Sequence, residues 1–288
     1  MTARQHFVQC ASPLGLHRIA YREWGDPENP KVLLCVHGLT RVGRDFDRLA
    51  QALANNYRVV SPDVVGRGDS DWLDNPMLYG LPQYVSDMVT LVARLNPGTL
   101  DWFGTSMGGL IGICYAGQKG ASVRRMLIND VGPTLEAGAL QRIGSYLGIE
   151  RRFADLDEAT QYVSLVSASF GVHTPDEWRE LTEGVVRQNP DGSWRMHYDM
   201  RLAEPFKSTT PAQAMAGEGL LWHLWSAIGA QILITRGEFS DLLTPATVQA
   251  MQAANPRAQA VTIPGVGHAP TFMHADQIQI AADFFKGD

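Results

Sequence analysis

The six residues Gly104-Thr105-Ser106-Met107-Gly108-Gly109, "GTSMGG", follow the apolar run "LDWF" (100–103) and lead into the apolar segment "LIGICYAG" (110–117). A lone serine among glycines, where a strand-like run meets a helix-like one, marks a tight strand–turn–helix connection. Glycines there admit backbone angles and close approaches that a Cβ forbids. The central residue is held above the strand end, and the helix that starts beside it aims its free N–H groups and positive dipole end at the same point. Ser106 is therefore the candidate nucleophile. A serine hydroxyl is a weak nucleophile near neutral pH, so the chain must also supply an oriented base and donors for the developing oxyanion.

Outward from this turn the same alternation recurs. Short runs rich in valine, leucine and isoleucine lie at 31–38 ("KVLLCVHG"), 57–66, 99–106, 123–132, 231–238 and 258–265. Near-continuous apolar strands of this kind are buried on both faces, as in a parallel sheet. Helical patterns separate them at 44–55, 83–95, 107–118, 245–254 and 275–286, and two more alternating runs, 5–11 and 17–24, read as an antiparallel hairpin at a sheet edge. The pattern predicts an α/β, doubly wound, mostly parallel sheet. From about Pro133 to Ala216 the alternation stops. Amphipathic stretches at 135–147, 156–169 and 175–188 come without a convincing buried strand. This predicts a core of 1–132 and 217–288 and a helical cap, 133–216, over the strand ends where open α/β sheets bind ligands.

Composition narrows the function. The 288 residues carry a net charge of -6 and are 45% hydrophobic, which suits a folded acidic protein and excludes a nucleic-acid footprint, since no basic block is present. No apolar run approaches the roughly 18 residues of a membrane span, and "MTARQHFVQCASPLG" lacks a secretory apolar core, so a cytoplasmic location without membrane partners is expected. Three scattered cysteines give no disulfide framework. The eight histidines form no metal-binding pair, so neither metal nor cofactor is expected. Oligomeric state is not legible.

For the base, "IPGVGHAPTF" places His268 in a glycine-rich loop after the last strand, opening at the same sheet edge as Ser106. Two acids follow parallel strands, Asp241 in "RGEFSDLLTP" and Asp130 in "INDVGP"; both give the chain order Ser, Asp, His. Asp241 is preferred because its loop immediately precedes the His268 unit, leaving Asp130 to brace the turn into the cap. After strand 31–36, the "VHGLTR" turn exposes the Leu39 amide, which with the Met107 amide makes a two-donor oxyanion hole. His37 in that turn is read as holding the loop by hydrogen bonds. Arg41 is a candidate for a substrate carboxylate, against an ion pair with Asp45 or Asp47. The aromatics Trp194, Tyr198 and Trp222 are candidates for an apolar pocket wall, against simple packing.

With "VHGL", "SPDVVGRGDSD" (61–71), "GTSMGG", "INDVGP", "RGEFSDLLTP" and "GVGHAP" in place, the chain resembles the α/β-hydrolase superfamily over nearly its whole length. The resemblance implies an eight-stranded sheet with an antiparallel second strand, a variable cap, Ser106 as nucleophile, His268 as base, Asp241 as acid, and the Leu39 and Met107 amides as oxyanion donors. Serine rather than aspartate at the nucleophile position argues against dehalogenation. The expected activity is hydrolysis of a small or medium carboxylic ester or lactone through an acyl-enzyme. The alternatives are a carbon–carbon bond hydrolase of ring-cleavage products, favoured if Arg41 or a cap arginine faces Ser106, and a ligand receptor with slow turnover.

Overall fold

The computed structural model describes residues 2–287. The chain opens with β1 (Arg4–Ser12), β2 (Gly15–Trp24), β3 (Lys31–Val36), α1 (Asp47–Leu53) and β4 (Arg58–Pro62). Then come α2 (Leu81–Leu95), β5 (Thr99–Thr105), α3 (Met107–Ala116) and β6 (Arg125–Asn129). A second region holds α4 (Ala137–Gly144), β7 (Arg152–Phe153), α5 (Leu156–Val166), α6 (Pro175–Glu183), β8 (Val186–Gln188), β9 (Trp194–Met196) and α7 (Ala203–Ser208). The chain closes with α8 (Pro211–Ala227), β10 (Gln231–Gly237), α9 (Pro245–Ala254), β11 (Ala258–Ile263) and α10 (Ala275–Lys286).

Eight strands form one sheet in the order β1-β2-β4-β3-β5-β6-β10-β11. Strand β2 runs antiparallel to both neighbours and every other pairing is parallel, which is the α/β-hydrolase fold. Because successive side chains on a strand point to opposite faces, the continuous apolar runs feed two cores at once. Val32, Leu34 and Trp102 join the core under α2, α3 and α8; Leu33, Cys35 and Phe103 join the core under α1 and α10. Parallel strands also deliver their carboxyl ends to one edge. The segments after β5, β6, β10 and β11 meet there, carrying Ser106, Asp130, Asp241 and His268.

Two expectations about the segment 133–216 need correction. It is mainly helical but contains a three-stranded antiparallel sheet, β7-β9-β8, with Phe153 opposite Trp194 and Val186 opposite Met196. These strands are two or three residues long and interleaved with arginine, too short to show a period. In particular the helical stretch expected to reach 188 ends at Glu183, where Gly184 closes α6. Second, α8 runs unbroken across the expected boundary at 216/217. Its carboxyl half is seated on the core, with Trp225 fully buried and its Nε1–H donating to the Met251 carbonyl at 2.8 Å. Among the described residues no helix is long and apolar enough to cross a membrane.

Candidate active site

Ser106 sits between β5 and α3 at φ 51°, ψ -116°, a backbone region that side chains rarely adopt. The surrounding glycines allow it. A Cβ on Gly104 would collide with the Gly108 carbonyl, and one on Gly108 would collide with the Val36 carbonyl of the neighbouring strand. The turn thus packs backbone on backbone, and the Ser106 N–H is tied to the Asn129 carbonyl at 2.9 Å.

His268 lies 2.9 Å from Ser106 Oγ through Nε2 and 2.8 Å from Asp130 Oδ2 through Nδ1. Asp130 accepts but cannot donate as a carboxylate, so Nδ1 carries the proton and Nε2 is the acceptor facing the serine. The structure corrects the choice of acid. Asp130, fully buried and directly after β6 at φ 56°, turns its carboxylate toward the ends of β10 and β11, taking hydrogen bonds from the Gly237 amide, Ser240 Oγ and His268. Asp241 is held instead by Arg142, at 2.7 Å from Nε and 2.8 Å from Nη2. That guanidinium keeps the Asp241 carboxyl below its ordinary range. Chain proximity to His268 was the wrong criterion, because β10 lies between β6 and β11 and both loops reach the histidine. The legible signal was position: Asp130 abuts its strand among buried residues, whereas Asp241 stands four residues beyond Gly237, with a side chain 43% exposed.

The loop after β3 is fastened from below. His37 Nδ1–H donates to the Gly38 carbonyl at 2.7 Å and its Nε2 accepts the Val64 amide at 2.9 Å. Burial drives its pKa down to about 3, so it stays neutral and braces the loop. Arg67, fully buried, was missed in the sequence. Its guanidinium donates to the Leu39 carbonyl at 2.8 Å, to the Val65 carbonyl, to Tyr84 Oη and to Met107 Sδ at 3.3 Å. One side chain therefore touches both residues whose amides are candidate oxyanion donors. The Met107 amide, first in α3, has no acceptor within its own helix. Ser169, between α5 and α6, is a second missed residue. It accepts the Gly267 amide at 2.6 Å and donates to the His268 carbonyl at 2.5 Å, tying the histidine loop to the overlying segment.

A pocket with about 820 Å³ of open space, its mouth included, runs from Ser106 and His268 beneath that segment. Leu39, Tyr198, Tyr162, Val163, Phe170 and Met196 give it largely apolar walls. Trp194 and Trp222 lie outside the lining. Trp194 belongs to the small sheet, and Trp222 Nε1–H donates to Thr134 Oγ1 at 3.0 Å. Arg41 reaches the pocket but is closed by Asp45, at 2.7 and 2.8 Å, and by the Leu181 carbonyl at 2.9 Å. For metals, Cys10, His17 and Asp87 are the group among the described residues whose donor atoms converge. His17 and Gln83 already hydrogen-bond Asp87, and burial pushes the Cys10 thiol up to about 12, which leaves a protonated sulfur rather than a thiolate ligand.

A doubly wound sheet with a serine elbow and a histidine–aspartate pair at the strand ends defines a hydrolase. The chain belongs to the alpha/beta hydrolase family, whose sequence model matches residues 33–280. It is 55% identical over 287 residues to a 3-hydroxybutyrate-oligomer hydrolase of Cupriavidus necator, an alignment covering 99% of this chain and 98% of that protein. It is 28% identical to a pimeloyl-[acyl-carrier protein] methyl ester esterase of Xanthomonas axonopodis, over 88% of this chain and 94% of that one. Among solved structures, an alpha/beta hydrolase from Novosphingobium aromaticivorans superposes with a TM-score of 0.86 at 33% identity, covering 99% of this chain and 98% of that one. The chain is an enzyme, an ester hydrolase.

Proposed function

We infer that this enzyme cleaves short esters of hydroxy acids, of the 3-hydroxybutyrate-oligomer kind, through an acyl-enzyme on Ser106. The observation that carries the reading is the hydrogen-bonded chain Ser106–His268–Asp130 at the floor of a largely apolar pocket. Ser106 Oγ attacks the ester carbonyl carbon as its proton passes to His268 Nε2, and Asp130 steadies the imidazolium. The carbonyl oxygen becomes an oxyanion between the Leu39 and Met107 amides. Collapse breaks the ester bond, and His268 returns the proton to the departing alkoxide. Water then attacks the acyl carbon, giving a proton to His268, and the acid leaves as Ser106 regains its hydrogen.

The segment 133–216 acts as the cap over this pocket. Its inner face, with Tyr162, Phe170 and Tyr198, sets which acyl and alcohol groups fit. Carbon–carbon cleavage is the weaker reading. Its anionic substrates call for a free cation, and Arg41 is closed by Asp45. Arg142 does line the pocket, but the relative matching at 55% identity acts on an oligomer. The reading is tested by incubating the enzyme with 3-hydroxybutyrate dimer and trimer and, separately, with an organophosphate. Release of monomer, together with stoichiometric phosphylation mapped to Ser106, is expected. Absence of monomer alongside fast cleavage of a dienol-keto acid would overturn it.

A further inference from the structure

The pocket that opens on Ser106 is lined by two arginines and by no aspartate or glutamate. Arg41 is spent on Asp45 and the Leu181 carbonyl, on the same side of the chamber where its guanidinium also covers Phe170. Arg142 differs. It sits in the last turn of α4 and reaches the pocket beside Ile143 and Tyr146, while Asp241 grips its Nε and Nη2 from outside the lining. The two side chains are 35% and 43% exposed, so the ion pair lies at the pocket mouth, where water competes for both partners and the hold is weak. A guanidinium is a planar fork matched to carboxylates, and one carboxylate already occupies it in the required bidentate geometry.

We propose that Arg142 is the anchor for a free carboxylate on the substrate, and that Asp241 keeps the guanidinium aimed across the mouth until that carboxylate joins or replaces it. This rests on Ser106 being the nucleophile and names the substrate class of that site: short molecules holding both an ester bond and an unblocked carboxylate. Oligomers of a hydroxy acid with a free carboxyl end belong to the class; their alkyl esters do not. Recognition of a terminal charge makes the enzyme act from a chain end rather than within a long polymer. Asp241 acts in the opposite sense to Arg142. Its negative charge opposes the incoming anion, so removing that charge favours acids and removing the guanidinium disfavours them.

The test uses full-length protein carrying Ser106→Ala, so that binding is read without turnover. Calorimetry gives Kd for 3-hydroxybutyrate trimer as the free acid and as its methyl ester. The expected result is a preference for the acid that falls about 10- to 100-fold when Arg142→Gln is added, recovers in part with Arg142→Lys, and rises about two- to fivefold with Asp241→Asn. Wild-type and Arg142→Gln turnover of both trimers should show the same change in the acid-to-ester ratio, carried by KM. If Arg142→Gln weakens acid and methyl ester equally, or if Ser106→Ala protein binds them equally, the proposal is wrong. Failure of the nucleophile reading would look different: Ser106→Ala protein would still hydrolyse both trimers, whatever the charge preference.

Discussion

Replacing Asp130 by asparagine separates the geometry seen here from the assignment that proximity along the chain favours. The Asp130 carboxylate takes three hydrogen bonds, from His268 Nδ1, Ser240 Oγ and the Gly237 amide, and has no exposed surface. A carboxamide has one acceptor oxygen for those three donors. Gly237 bonds Oδ1 while Ser240 and His268 share Oδ2, so with the amide oxygen kept on the Gly237 amide the N–H₂ faces His268 and drives the imidazole to the other tautomer, with Nε2–H pointing at Ser106 Oγ. The serine then has no base. A wrong-tautomer histidine in a serine–histidine–aspartate system costs about 10⁴ in kcat, equivalent to roughly 5.5 kcal/mol of barrier. Asp241→Asn breaks a pair more than one-third exposed on both sides, a contact contributing about 0–1 kcal/mol, and should lower kcat for a neutral ester by less than about tenfold. The assay is kcat for p-nitrophenyl butyrate, corrected by active-site titration, with thermal melts confirming that both variants are folded. A larger kcat loss in Asp241→Asn than in Asp130→Asn would refute the reasoning.

Ser106→Ala should leave the fold intact and reduce ester turnover by roughly 10⁴ or more; residual activity within tenfold of wild type would sink the nucleophile assignment. At the same position, Ser106→Gly should melt higher than Ser106→Ala by about 1 kcal/mol of stability, because only glycine relaxes at φ 51°, ψ -116°. Arg67→Met should lower kcat about 10- to 100-fold with little change in KM, since the Leu39 carbonyl loses its anchor; weakened binding of a trifluoromethyl ketone by a matching factor ties the loss to the oxyanion site, and unchanged affinity would not. His37, with a pKa near 3 when folded and about 6.5 when unfolded, makes the unfolded chain bind the extra proton between those values. Stability should therefore fall on acidification through that window by up to about 1.4 kcal/mol per pH unit, and urea melts at pH 7 and pH 5 should show a smaller difference in His37→Gln than in wild type.

What the sequence determined by itself is the part written in local chemistry. The run "LDWF", the glycines of "GTSMGG" and the apolar segment that follows specify strand, turn and helix within a few residues, because a Cβ at Gly104 would meet the Gly108 carbonyl inside the turn itself. The same holds for the strands, whose unbroken apolar runs need both faces covered, and for His268, whose glycine-rich loop follows the last strand. What only the tertiary structure decided depends on lateral distance across the sheet. Asp130 and Asp241 have equal claims by chain order; the choice falls to Asp130 because β6 and β11 flank β10, while Arg142, nearly a hundred positions away, draws Asp241 outward. Nothing in "GRGDSD" marks Arg67, which the fold buries against Leu39 and Met107. The small sheet of the segment 133–216 is likewise a tertiary product. Strands of two or three residues carry no period of their own, and they pair only because the helices around them bring their backbones into register.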